Sequence, residues 1–313
     1  MDQSFPGRIL LAEANQWPTD LRPYFGSGDE FHMAFHFPLM PRLFKSLAEE
    51  NCKSLIEVLD LTPSIPNNCQ WCTFLRNHDE LTLEMVSEAD RQLLWDFYAP
   101  QKQMRLNLGI KRRLAPLLDG DTRKILLLYS VNFSLPGTPI IYYGDEIGMG
   151  DNVELKDRDG LRTPMQWNSD VKAGFSESAM NEFVLPIITK QPYDPAHVNV
   201  KDQKQNLQSL LNQIMRMVAI RKGMDWLGAA SLKIFEHPNK KVLLYVRENQ
   251  SMRLMALHNF SSEAQEISIQ NPFSKPVRFE ALLNGTTIIE DHKGVFSFKL
   301  EPFQFYWALV KSS

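Results

Sequence analysis

The chain has 313 residues, 43% of them hydrophobic and 23% charged, with a formal net charge of −3. That is a globular composition, long enough for one large domain or two smaller ones. There is no basic block and no apolar run near the roughly 20 residues that span a bilayer, which argues against nucleic acid, anionic surfaces and a membrane as partners.

Three cysteines, Cys52, Cys69 and Cys72, are odd in number and too sparse for a disulfide framework, which points to a reducing compartment. Cys69 and Cys72 have Cys-x-x-Cys spacing. No second pair and no redox βαβ context accompanies them, so they read as small apolar side chains near a strand start. After Met1, the run Asp2-Gln3-Ser4-Phe5-Pro6-Gly7 is unlike a signal peptide, and the expected location is cytoplasmic.

In chain order, Ile9-Leu10-Leu11-Ala12 is a continuous apolar run, as expected of a strand buried on both faces in a parallel sheet. A second strand is expected near Phe31–Phe35. Pro38–Glu50 then has Leu39, Leu43, Phe44 and Leu47 at helical spacing. Trp71–Leu75 predicts a third strand, and helices follow around Ala89–Phe97 and Ile125–Phe133. Pro136-Gly137-Thr138-Pro139 breaks the pattern, after which Ile140–Tyr143 predicts a fourth strand. A polar loop runs to about Asp202, and Leu207, Leu210, Leu211, Ile214, Met217 and Val218 mark an amphipathic helix.

From about Ser231 the period changes to two. Val242–Val246, Leu254–Leu257, Phe296–Leu300 and Phe303–Trp307 are strands, with turns at Asn249-Gln250-Ser251 and Asn284-Gly285. The expected fold class is α/β. A partial (β/α)₈ barrel occupies residues 1–228, and an antiparallel β-sandwich occupies 229–313. Four strand candidates make half of an eight-stranded barrel.

Barrel chemistry gathers at the C-terminal strand ends. Glu13 ends the first strand, His78-Asp79-Glu80 follow the third, and Asp145-Glu146 follow the fourth. Carboxylates at such positions suit glycoside chemistry, which needs a proton for the leaving oxygen and negative charge beside an oxocarbenium-like centre. Any one of them is as readily a helix cap or a loop ion pair. Trp17, Phe35, Tyr143 and Trp167 could stack on sugar rings or pack at the rim. His32 and His36 have metal-like spacing only on a helix, and they stand in a strand.

The wording of these segments adds a resemblance. Leu11-Ala12-Glu13-Ala14-Asn15-Gln16-Trp17-Pro18 resembles the end of barrel strand five in the α-amylase superfamily, and Phe74-Leu75-Arg76-Asn77-His78-Asp79-Glu80 resembles strand seven. Pro136–Met149 is similar to the strand-eight region. Arg162-Thr163-Pro164-Met165-Gln166-Trp167 resembles a loop of the oligo-1,6-glucosidase and trehalose synthase branch, and Asp29–Arg42 resembles strand six of trehalose synthases. These segments span most of residues 5–170.

The resemblance implies strands five to eight of the barrel, with Glu13 as general acid/base, Asp79 as transition-state stabiliser, and His78 and Arg162 positioning sugar or holding loops. It implies intramolecular transglucosylation between maltose and trehalose. The alternatives are a related α-glucosidase or glucan isomerase, or a non-catalytic truncated product. The superfamily nucleophile is an Asp two residues after an Arg at strand four, and no segment here supplies it. Gly160-Leu161-Arg162-Thr163 has Thr163 in its place, and Asp157-Arg158-Asp159 has the wrong spacing. Strands one to four and the family's calcium site are thus expected before Met1, and no cofactor or metal is assigned to these residues. Glu13 and Asp79 are expected to face one cleft, with Asp145 near its floor. The expected partners are the disaccharide and either the missing half-barrel or a second copy.

Overall fold

The computed structural model describes residues 4–178, 183–273, 276–284, 287–290 and 294–312. The chain divides into two compact units that do not follow chain order. The first comprises Met1–Thr73, Val131–Ile140 and Gly223–Ser313, and the second Phe74–Ser130 and Ile141–Lys222.

In the first unit, strands β1 (Leu11–Ala12), β2 (Met33–Phe35) and β3 (Gln70–Phe74, whose last residue opens the second unit) are neighbours in one sheet, each pair parallel. Between β2 and β3 lie two helices, α2 (Leu39–Glu49) and α3 (Lys53–Asp60), after a short α1 (Pro18–Leu21) that follows β1. Parallel strands require such crossovers. Ala12, Ala34 and Trp71 form one layer with Leu21 and Phe25. The small alanines leave room for Phe25 to meet the Trp71 ring edge-on at 5.0 Å.

The periodicity of residues 38–50 is fulfilled by α2, which buries Leu39, Leu43, Phe44 and Leu47. Helix α3 carries only two buried apolar side chains, Leu55 and Val58, which is why spacing alone did not predict it.

Three expectations need correction. The first run is not buried on both faces: Ile9 is 64% and Leu11 42% exposed, because β1 is a two-residue edge strand covered on one side. The fourth strand is Thr138–Ile140, not Ile140–Tyr143, and it includes Pro139. It lies at the opposite edge of the sheet, where a missing backbone donor is tolerated. Gly137 opens it with φ 101°, and a side chain there would stand 2.3 Å from the Trp71 carbonyl oxygen. Lastly, the amphipathic helix is Leu210–Lys222, and Leu207 lies outside it, 81% exposed.

His36 follows β2 and is buried. Its Nδ1 accepts from the Leu39 amide at 3.2 Å. Its Nε2 lies 2.7 Å from the Thr62 hydroxyl, which itself donates to the Val58 carbonyl. That chain assigns the neutral tautomer with Nε2–H. Burial, helped by nearby Arg42, pushes the imidazole from its ordinary 6.5 down to about 4. The unfolded state therefore binds a proton between pH 6.5 and 4 that the folded state refuses, and stability falls with falling pH by about 3 kcal/mol over that window. Asp145, raised to about 6, acts in the opposite direction below that pH. The readout is therefore the difference in urea midpoint between the protein and its His36→Gln variant. That difference should shrink steadily from pH 7 to pH 4.5, and a constant difference would refute the neutral-imidazole account.

The remaining strands of the first unit form an antiparallel sandwich. One sheet has the order β11 (Val277–Leu283), β14 (Phe305–Ser312), β9 (Arg253–Asn259), β8 (Val242–Glu248), β7 (Ser231–Ile234). The other has β10 (Gln265–Gln270), β13 (Val295–Leu300), β12 (Thr287–Glu290). Their facing residues alternate as the period of two demands: Val242, Leu244 and Val246 on β8, Phe296, Phe298 and Leu300 on β13, Tyr306, Ala308 and Val310 on β14. The last strand begins at Phe305, because Phe303 turns the chain at φ 56°. Asn249 closes the β8–β9 hairpin, its Oδ1 accepting from the Ser251 and Met252 amides. Of the turn expected at Asn284-Gly285, Gly285 lies outside the described residues, while Asn284 has φ 57°.

The central strands β8 and β9 of the five-stranded sheet are buried on their outer face too. Arg247 on β8 is fully buried and donates to the carbonyls of Ser134, Leu227, Ala230 and Ser231, and the Tyr245 hydroxyl meets that of Ser134. A guanidinium over helix-end carbonyls satisfies acceptors that a helix terminus leaves open.

The second unit holds α4 (Glu88–Tyr98), a hairpin of β4 (Arg105–Leu106) and β5 (Gly109–Ile110), α5 (Leu114–Leu117), most of α6 (Thr122–Ser134), α7 (Val200–Gln205) and α8 (Leu210–Lys222). Ser87 caps α4 through the Asp90 amide, and Asn199 caps α7 through the Asp202 amide. No helix among the described residues is long and apolar enough to cross a membrane. Cys52, Cys69 and Cys72 are free and buried, and burial pushes the Cys72 thiol up to about 12.

Candidate catalytic site

Glu13 immediately follows β1 in the first unit and is exposed. Of its motif neighbours, Trp17 is engaged by the Arg42 guanidinium 5.0 Å over its ring, so that ring face is spent on packing rather than on sugar. His32 Nδ1 accepts from the Leu10 amide. Together with the buried bonds of His36, this gives both histidines structural roles.

The other predicted site residues come together in the second unit. The backbone of the segment after β3 is pinned at both polar groups of Asp79: its N–H donates to Asn77 Oδ1 at 3.0 Å, and its carbonyl accepts from Arg76 Nη2 at 2.7 Å. Arg76 is itself buried and also donates to the Arg112 carbonyl at 2.8 Å. Burial lowers its guanidinium to about 10, which still leaves it charged at neutral pH. On that frame the Asp79 carboxylate is half-buried and His78 is exposed, its Nε2 3.6 Å from Asp79 Oδ1. Arg162 Nη2 donates to Asp79 Oδ1 at 2.7 Å, and Arg162 Nε to the His78 carbonyl at 3.0 Å. His78, Asp79 and Arg162 are one cluster.

The segment Arg162–Trp167 owes its composition to this placement. Tyr142 and Tyr143 donate through their hydroxyls to the carbonyls of Leu161 and Thr163, at 3.0 and 2.8 Å. Buried Gln166 donates to the carbonyls of Tyr193 and Val198. Gly160 permits the turn before Arg162, since a side chain there would stand 2.1 Å from the Asn152 carbonyl oxygen. Trp167 is 48% exposed and Tyr143 39%.

Asp145 is only 1% exposed and pairs with fully buried Arg113 at 3.2 Å, so it is an internal anchor rather than a group presented to substrate. Burial outweighs Arg113 and Arg76 and raises its carboxyl to about 6. Arg113 also donates to the Tyr143 carbonyl and lies 4.8 Å over the rings of Tyr142 and Tyr143. Sequence reasoning did not single out Arg76, Arg113 or Arg158. An arginine inside a motif carries no sign of whether it faces a carbonyl, a ring or a carboxylate.

Comparison with known proteins agrees with this architecture. The model of the α-amylase catalytic domain matches residues 110–230, and that of the maltogenic amylase C-terminal domain matches 232–307. The α-amylase from H. orenii superposes with a TM-score of 0.70 at 20% identity, covering 99% of this chain and 55% of that one. The chain belongs to the α-amylase superfamily.

Within it, the chain is similar to trehalose synthases. It is 49% identical over 257 residues to the trehalose synthase of a Pimelobacter strain, and 46% identical over 265 residues to that of Thermus thermophilus. These alignments take in 79% and 84% of this chain but 45% and 28% of the relatives, so the chain spans less than half the length of either.

Proposed function

We propose that this chain supplies the acid/base and stabilising half of a retaining α-glucosyl transferase that interconverts maltose and trehalose. Glu13 protonates the oxygen leaving the α-1,4 bond and later takes the proton from the incoming anomeric hydroxyl. Asp79 holds negative charge beside the oxocarbenium-like centre, and His78 and Arg162 orient sugar hydroxyls and the carboxylate. A covalent glucosyl intermediate needs a second carboxylate about 5–5.5 Å from the acid/base. The observation that carries the reading is the Asp79 carboxylate, fixed by Arg162 on a pinned strand-end backbone within the motifs shared with trehalose synthases. Keeping water out while the freed glucose turns separates isomerisation from hydrolysis.

A cytoplasmic location suits three buried free thiols. Association with a complementary half-barrel, or with a second copy, is supported by exposed Leu11 on the edge strand and exposed Ile9 just before it.

In the chain complemented by the half-barrel that supplies the second carboxylate, Asp79→Asn is expected to lower kcat for maltose by roughly 10²–10³-fold with the fold retained. Trehalose and glucose resolved by chromatography give the measurement. A variant within threefold of the parent would remove Asp79 from the mechanism, and glucose as the sole product would favour the α-glucosidase alternative.

A further inference from the structure

Arg158 meets three carboxylates at once, one of them its neighbour Asp157, whose Oδ1 lies 3.0 Å from Arg158 Nη1. Its Nε stands 3.0 Å from Asp79 Oδ1 and 2.9 Å from Glu80 Oε2, and its Nη2 donates to Glu80 Oε1 at 3.3 Å. The two contacts to Glu80 form a fork, which fixes the plane of the guanidinium as well as its position. Glu80 is anchored from its other side by Asn107 Nδ2 at 2.8 Å, at the turn of the β4–β5 hairpin. Leu81, the next residue, exchanges both backbone hydrogen bonds with Ile110 of that hairpin. Arg158 and Arg162 flank a single 3₁₀ turn, Asp159–Leu161, so one loop delivers two guanidinium groups to the same oxygen of Asp79.

From this geometry we infer that Arg158, held in plane by Glu80 and Asn107, is a positioning residue for Asp79. The inference rests on Asp79 being the stabilising carboxylate. With the Asp79 backbone held at N–H and C=O, only its side-chain torsions remain free. Arg162 alone, as a single contact at 2.7 Å, leaves the carboxylate able to pivot about Oδ1. A second nitrogen 3.0 Å from that oxygen, its one proton already donated to Glu80, adds charge attraction from a guanidinium whose plane is set elsewhere and narrows the pivot. As a contribution to stability the pair is minor, because Arg158 is 27% and Asp79 35% exposed and such ion pairs contribute little. Its effect lies in orientation, where a misplacement of about 1 Å can cost roughly 100-fold in rate.

The test is steady-state kinetics of the same complemented enzyme with maltose and, independently of product identity, with a nitrophenyl α-glucoside. Arg158→Ala is expected to lower kcat roughly 10–100-fold with KM within about threefold. Added guanidinium ion should restore part of the loss in Arg158→Ala and none in Arg158→Lys. Glu80→Gln should produce a smaller loss in the same direction. The inference is overturned if Arg158→Ala keeps kcat within twofold, if only KM changes, or if the loss accompanies a lowered unfolding temperature without rescue. An inactive Asp79→Asn beside an unimpaired Arg158→Ala would sink this inference alone. An active Asp79→Asn would sink the reading beneath it as well.

Discussion

Purified as the 313-residue polypeptide and given maltose, the chain is expected to form trehalose at no more than about one-millionth of a complete enzyme's rate, the scale of loss when a catalytic nucleophile is removed. A retaining transfer needs a carboxylate that becomes covalently bound to glucose. Among these residues no Asp stands two places after an Arg. Of the other strand-end carboxylates, Asp145 is buried against Arg113, and Glu80 is held by Arg158 and Asn107. Neither can advance on an anomeric carbon without breaking those bonds. Mixed or co-expressed with the part of the Thermus thermophilus relative that precedes the matched segment, the chain should turn over maltose if that part supplies the second carboxylate. Glu13→Gln should then cost roughly 10²–10⁴-fold. Trehalose formed by the chain unaided would show that a committed carboxylate is released after all.

Most of what positions this chemistry was legible as local pattern. The apolar alternation of Phe296–Leu300 sets one face of a sandwich, which β13 follows, and the continuous apolar run Val242–Val246 is buried throughout on β8. The helical spacing of Leu39, Leu43 and Leu47 needs only one covered face, and α2 provides it.

Legibility failed where the outcome depended on neighbours distant in sequence. Nothing in Ile9-Leu10-Leu11-Ala12 says that β1 is an edge strand, so its exposure could not be read. Nothing in Thr138-Pro139-Ile140 says that a strand edge will accept a proline. The candidate site divides along the same line. Asp79, His78 and Arg162 could be named because their motif wording is distinctive, and they do assemble. Arg76, Arg113 and Arg158 could not. Their roles come from carbonyls of residues 3 to 36 positions away, or from carboxylates such as Asp145 and Asp79, 32 and 79 positions from Arg113 and Arg158. Asp145 shows the converse. A carboxylate after an apolar run looks like a catalytic group, and only burial beside Arg113 reveals it as an anchor.

That anchor carries the largest expected effect on stability. Arg113→Met leaves the Asp145 carboxylate in a site where its partner and water are both absent, and breaking a buried pair from one side costs about 3–5 kcal/mol. The carboxyl is already raised to about 6 with Arg113 present, so without it Asp145 will take up a proton at neutral pH rather than remain charged. The cost of the substitution is then partly the cost of that protonation, which falls as pH falls. Urea midpoints should therefore show Arg113→Met most destabilised at pH 7.5, and least so near pH 5, where the parent's own Asp145 is largely protonated. Replacing both partners, Arg113→Met with Asp145→Leu, removes the stranded charge. The double variant should be less destabilised than the sum of the singles by about 2 kcal/mol or more, since residues in contact do not add. Additive losses, or a penalty independent of pH, would mean that Arg113 acts chiefly through the Tyr143 carbonyl and the rings of Tyr142 and Tyr143, with Asp145 a bystander.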